Sequence, residues 1–362
     1  MVKKIFAFSF VTACLIQSFM FAKLGMADFD VWAKQAEYVQ TNNPAQFDFL
    51  LAYGHPGGPI IEGVLFFHNV LGFSYDGSLM IFIIIIDGLA IAGASTICYL
   101  LSKNNLWWPI VLVILSANDL YLSSTPPSTI ASLLISFLSL YSLYIYEKNK
   151  LKTGSLIFWG IIAGLIVATR VDIGLVMIFS FLVFLKPKIS WRQTFLIFGI
   201  TNISFVLFDP FMWYMPFQHL KDLIFKIVFH YEYFDTIKMS LSQVLNISAL
   251  LLVSVFFAVV FLFLKEKIKS PLPTRFIYIL LAVTVALYIV FLTAQCQNSR
   301  YFLPLINIWQ MLLPLFLFSL TSNLKPALSK MADLFFMVIL ILLPLASLIS
   351  SVLIDRMYNL IL

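Results

Sequence analysis

Charge is the scarcest commodity in this chain: Asp, Glu, Lys and Arg together make up 11% of its 362 residues, against about a quarter in an ordinary soluble domain. That shortage excludes a conventional water-facing surface over most of the molecule. Cysteine is scarce too, with only Cys14, Cys98 and Cys296. No CxxC spacing and no Cys/His pair occurs, which argues against a structural zinc and a disulfide framework. Ten-residue segments of alternating polarity are absent, which argues against a transmembrane β-barrel. There is no low-complexity tract, no clear internal repeat and no stretch long enough for a sizeable soluble domain. What fills the chain instead is apolar: 61% hydrophobic residues and a mean hydropathy of +0.98.

The apolar residues come in runs of about 20, the length a helix needs to cross a bilayer. The spans we read are 5–26, 79–101, 107–118, 127–146, 154–169, 173–186, 194–208, 242–264, 275–295, 301–320 and 332–354. Backbone groups in lipid must pair within their own segment, so helices are expected. The expected fold is an all-α polytopic membrane protein of about eleven transmembrane helices, forming one domain over 1–362. The N-terminal MVKK and the run behind it have the form of a secretory signal, with Gly25-Met26-Ala27 as a cleavage site. Val11-Thr12-Ala13-Cys14 even has the form of a lipoprotein signal. The run continues well past Cys14, however, so we expect an uncleaved first transmembrane helix. Either way Asp28 falls outside the cytoplasm.

The net charge of +6 and pI of 9.1 would suggest nucleic acid in a soluble protein. Here the basic residues sort by loop. With the N-terminus inside, about 15 of the 23 Lys and Arg fall on the cytoplasmic side, including Lys3, Lys103, Lys150, Lys188, Lys267 and Lys325, as the positive-inside rule requires. The acids do the opposite: only Glu147, Glu266 and Asp333 fall there. The expected setting is therefore an integral membrane protein, by its compact loops a bacterial inner-membrane one, with no nucleic-acid partner and with its chemistry on the extracytoplasmic face.

Two outer segments are long. The first, 27–78, opens with Asp28 and Asp30, then an amphipathic helix with Phe29, Trp32, Ala33, Ala36 and Val39 on one face. At the start of a helix the two acids lie about 200° apart. One can face a cavity while the other meets water, and either can cap the helix. "YGHPGGPIIEGVLFFHNVLG" follows from Tyr53. His55-Pro56 leads into a second interfacial helix that starts at Pro59 and ends at Gly72, and Gly57 and Gly58 would let the backbone approach a ligand. The second long segment, 209–241, carries "HLKDLIFKIVFH", with Leu220, Leu223, Ile224, Ile227 and Val228 as an apolar stripe. His219, Lys221, Asp222, Lys226 and His230 form its polar remainder. Such helices suit the membrane interface.

This layout resembles the GT-C superfamily, which includes protein O-mannosyltransferases and the transferases that add aminoarabinose to lipid A. The first-loop acid followed by an aromatic and small residues matches Asp28, Trp32, Ala33 and Ala36. Many members have Asp-Glu there, whereas this chain has the second acid displaced to Asp30. The (His/Lys)-Pro-Pro motif matches His55-Pro56, with Gly57 in place of the second proline. "GIIAGLIVATRVD" is similar to a Gly-rich helix ending in Arg170. "NSRYFLPL" resembles the late Arg-Tyr-x-x-Pro motif at Arg300, Tyr301 and Pro304. Asp209-Pro210 stands near the family's Asn-Pro. The resemblance implies a polytopic enzyme that takes a sugar from a polyprenyl-phosphate carrier in a cavity roofed by the interfacial helices.

On that reading Arg300, His55, Arg170 and Tyr301 meet the donor phosphate, and Asp28 orients or deprotonates the acceptor. Asp119, Asp209 and Glu232 are further candidates at the acceptor side. Arg suits a phosphate because its planar fork donates two hydrogen bonds at once; the plain alternative for Arg300 is a side chain snorkelling from a helix end. Lys221 and Lys226 would attract the anionic headgroup. No cofactor is required, although Asp28 and Asp30 could hold a divalent cation against the phosphate. Two rival readings remain. A transporter or flippase of lipid-linked sugars would use Asp87, Arg170 and Asp172 as a relay, since an acid mid-span is costly and usually functional. An oligosaccharide polymerase or ligase would share the compartment and the lipid-phosphate chemistry.

Overall fold

The computed structural model describes residues 1–24, 29–41, 57–115, 126–214, 216–229, 255–256, 258–264, 272–293, 303–322 and 324–339. Among them every regular element is helical and none is a strand. We number the principal helices α1 (Val2–Leu24), α2 (Phe29–Gln40), α3 (Gly58–Leu71), α4 (Tyr75–Leu101), α5 (Trp107–Leu115), α6 (Pro126–Glu147), α7 (Thr153–Thr169), α8 (Val171–Leu185), α9 (Trp191–Leu207), α10 (Phe211–Tyr214), α11 (Pro216–Phe229), α12 (Thr274–Thr293) and α13 (Leu303–Thr321). Further helical turns occupy 258–264 and 326–339.

Four of these, α1, α4, α6 and α13, are long and apolar enough to cross a bilayer. The expected spans 154–169, 173–186 and 194–208 appear as helices of 17, 15 and 17 residues. At 1.5 Å per residue these reach about 22–26 Å, short of a 30 Å hydrocarbon core. Among the described residues, four helices are thus long and apolar enough to cross a membrane.

Local chemistry explains where helices begin and end. Ser74 caps α4 by accepting the Gly77 N–H at 3.2 Å, so that helix starts four residues before the apolar run does. α3 has Gly57 in the left-handed region (φ 60°), Pro near its start, and a left-handed Gly72 (φ 71°) whose N–H reaches the His68 carbonyl, a glycine-terminated helix end. Ser190 and Gln193 form a reciprocal capping box on α9.

The core is built around α4 and α6. α4 packs on α1, α3, α5 and α6, and α6 packs on α7, α8 and α13. α7 lies along α9 at a small-residue seam. A Cβ on Gly164 would collide with the Ser204 Cβ, and one on Gly160 with Ile200, the close backbone approach that small residues permit. α6 is lined with serines whose hydroxyls fold back onto its own carbonyls, as Ser136 does to Ser132 and Ser142 to Leu138. The Trp159 indole N–H on α7 then donates to Ser142 Oγ at 2.8 Å. On α13 the Trp309 N–H does the same to Thr284 Oγ1 on α12 at 2.9 Å.

Candidate functional site

One end of the bundle gathers polar chemistry, and contacts rather than sequence order define it. It holds the start of α6, the end of α7, the start of α8, the end of α9 and the start of α3. A Cβ on Gly58 would run into the Phe208 carbonyl and the Asp209 Cα, so α3 begins directly against the end of α9. Gly57 meets the Trp32 ring in the same way. The close approach expected of these two glycines is made, and its partners are protein groups. The small residues dock α2 and α3 onto the bundle.

Arg170 is the single non-helical residue between α7 and α8, with φ −153° and ψ 107°. It is fully buried. Its Nε and Nη2 donate to the two carboxylate oxygens of Asp172 at 2.9 and 3.1 Å, and its Nη1 donates to Ser128 Oγ at 2.9 Å. A bidentate Arg–carboxylate pair is strong and geometrically specific. Arg170 therefore meets protein partners in a fixed corner, and the side chain expected to meet a phosphate is already engaged.

Asp209 lies just past α9 and is fully buried. Its Oδ2 meets His219 Nε2 at 2.7 Å and its Oδ1 accepts the Phe211 N–H at 3.2 Å. Burial pushes the Asp209 carboxyl up from its usual value, and the bonds from His219 and Phe211 pull the other way. His219 is 3% exposed. We expected it on the polar side of α11; it turns inward instead with Leu223, four residues on, while Leu220 and Ile224 remain exposed. His219 joins the inward face because the buried Asp209 carboxylate partners its imidazole there.

Glu62, on α3 one turn after Gly58, completes the group. Its carboxyl is pushed up to about 7, first by burial and then by the negative charge of Asp209. Its Oε1 is buried with no hydrogen-bond partner among the described residues. Sequence reasoning passed over Glu62, although an acid four residues after Gly58 in the apolar stretch "GPIIEGVLF" was a readable signal. The His219–Asp209 pairing had no such signal, since it spans ten residues and two helices.

Between α7, α8, α9 and α11 runs an apolar groove of about 260 Å³, lined by Val167, Val171, Ile178, Phe205, Leu220 and Leu223 among others. Its lining includes Val171, next in the chain to Arg170, and Leu220, next to His219.

Asp30 is at the start of α2, 74% exposed, and 3.9 Å from Lys34. It meets water. Asp28, His55, Asp119, Glu232, Arg300 and Tyr301 lie outside the described residues. Asp87 is fully buried in α4 beside the Gly88–Cys14 contact with α1, and neither carboxylate oxygen has a partner among the described residues. No group of three or more metal-binding side chains occurs among the described residues. No family model matches this chain, and no curated protein or solved structure matches it significantly.

Proposed function

We propose that the chain is an integral membrane glycosyltransferase that moves a sugar from a polyprenyl-phosphate carrier to an extracytoplasmic lipid, glycan or protein. It would cross a bacterial inner membrane about eleven times with its N-terminus in the cytoplasm. The reading rests on the first-loop and late motifs at Asp28, His55-Pro56 and Arg300-Tyr301. One structural observation supports it most: α3, with α2 packed on it, begins against Phe208 and Asp209, beside the buried Asp209–His219 pair. The apolar groove beside that end suits a lipid chain, because such sites pair apolar walls with a few placed polar groups.

On this reading Arg300, with His55 and Tyr301, stabilises the charge that grows on the leaving phosphate. Arg170 holds the corner of the site, and Asp28 orients or deprotonates the acceptor. Asp119 and Glu232 border the acceptor, and Asp30 lies at the water-facing rim, where with Asp28 it would hold any divalent cation. The test is transfer from synthetic polyprenyl-phosphate sugars by the purified, reconstituted protein. Arg300→Ala should lower kcat/KM roughly 10–100-fold, the loss of a charge-assisted hydrogen bond worth about 1.5–3 kcal/mol. Absence of transfer by the wild-type protein from every such donor would remove the assignment.

Asp87 favours a second reading. A carboxyl deep in a spanning helix, with no partner among the described residues, suits a transporter or flippase of lipid-linked sugars. Accumulation of such a lipid in the far leaflet of vesicles, without covalent transfer, would select it. Growth of a sugar chain from a lipid-linked oligosaccharide would select a polymerase or ligase.

A further inference from the structure

We propose that Glu62 is the group that takes the acceptor's proton at this site, leaving Asp28 the role of orienting the acceptor; this rests on the glycosyltransferase reading. Three observations carry it. Glu62 stands one turn after Gly58, which seats α3 on Phe208 and Asp209, near enough for the charge of Asp209 to act on it. Its Oε1 is buried and has no donor among the described residues, whereas buried side-chain polar atoms are in the large majority partnered. On α2, which packs along α3, the Trp32 Nε1 and Gln35 Oε1 are likewise buried without a described partner, and both residues are 1% exposed. Buried polar atoms left over on two touching helices are what a hydroxyl-rich ligand would satisfy. Asp30, the described first-loop acid, is by contrast solvated and paired with Lys34.

The step balances as a single displacement. The acceptor hydroxyl gives its proton to the Glu62 carboxylate while its oxygen bonds to the anomeric carbon. The bond from that carbon to the carrier phosphate breaks, and its electron pair leaves with the phosphate. Glu62 then releases the proton to water. The charged and titratable groups on the elements around α3 are Asp30, Lys34, Glu37 and Tyr38 on α2, Tyr75, Asp76, Asp87, Cys98 and Tyr99 on α4, Arg170 after α7, the Asp209–His219 pair, and His68 on α3 itself. Of these, Asp209 is the one whose charge acts on Glu62. A carboxyl poised near neutrality is well matched to proton transfer at physiological pH.

The test is the pH profile of kcat in the reconstituted full chain, for wild type, Glu62→Gln, Glu62→Asp and Asp28→Asn, with a polyprenyl-phosphate sugar as donor. Wild type should lose activity as pH falls through about 7, since a protonated Glu62 cannot accept. Glu62→Gln should lower kcat about 10²–10⁴-fold, abolish that acidic limb and leave the donor KM within about twofold. Glu62→Asp should recover part of the rate, and Asp28→Asn should keep the limb. Transfer by Glu62→Gln with the limb intact would overturn this assignment alone. No transfer by wild type would overturn the glycosyltransferase reading and this assignment with it.

Discussion

At the scale of single residues, the bundle end is a set of buried ionisable groups, some satisfied and some not. Asp209 and His219 satisfy each other. Removing one partner of a buried pair leaves the other uncompensated, which costs about 3–5 kcal/mol. His219→Ala should therefore lower the unfolding temperature in detergent markedly, while His219→Gln, which can still donate to Asp209, should lower it less. Glu62 carries a different signature. Its folded carboxyl titrates at about 7, whereas an unfolded Glu titrates near 4.3. Between those values the folded chain holds a proton that the unfolded chain does not, so stability falls as pH rises. Above about 7 both states are ionised and the loss is complete. Glu62→Gln should match wild type in thermal stability at pH 4 and exceed it at pH 8. Equal melting curves at pH 8 would show that burial of Glu62 carries no such penalty. This pH dependence was invisible in the sequence, because it arises first from the burial of Glu62 in the fold and then from the charge of Asp209, which lies 147 positions away.

At the scale of helices, the seam between α7 and α9 depends on what the glycines leave out. Gly164→Val would force a side chain into Ser204, and overpacking of this kind typically costs about 1–3 kcal/mol. Gly199→Ala on α9 meets open space and should stabilise the helix by about 0.5–1 kcal/mol. Fluorescence-detected size-exclusion chromatography after a heating series would rank the two. Helix positions were largely legible from hydropathy and turn residues. α3 was expected from Pro59 to Gly72 and runs Gly58–Leu71, because proline and glycine mark its ends by backbone geometry alone. The start of α4 was read late, since Ser74, Tyr75 and Asp76 are polar and the cap is what extends the helix. The inward face of α11 was misread for the same kind of reason: a polar residue faced inward because a partner was waiting.

At the scale of the whole molecule, the two ends of the bundle have opposite chemistry. The end away from Arg170 is fastened by lysines: Lys150 donates to the Tyr144 hydroxyl at 2.8 Å, Lys188 to the Tyr146 carbonyl at 2.8 Å, and Lys186 lies over the Trp191 ring at 3.4 Å. The acidic pairs occupy the other end. If the positive-inside assignment holds, cysteines placed at Lys150 and at Lys34 in a background without Cys14, Cys98 and Cys296 should label from opposite sides of sealed vesicles. Labelling of both from one side would refute the proposed topology. The all-helical character and the membrane-length helices α1, α4, α6 and α13 were readable because lipid leaves helices few alternatives. The grouping of Glu62, Asp209 and His219 was not, because it depends on which helix ends meet in space.

The corner at Arg170 has a consequence for any ligand that arrives there. The chain reverses from α7 into α8 on one residue, and the guanidinium rivets that reversal to Asp172 and to α6. An anion that competes for the rivet must loosen the bend it closes, so tighter capture of the anion and a firmer helical hairpin are traded against each other.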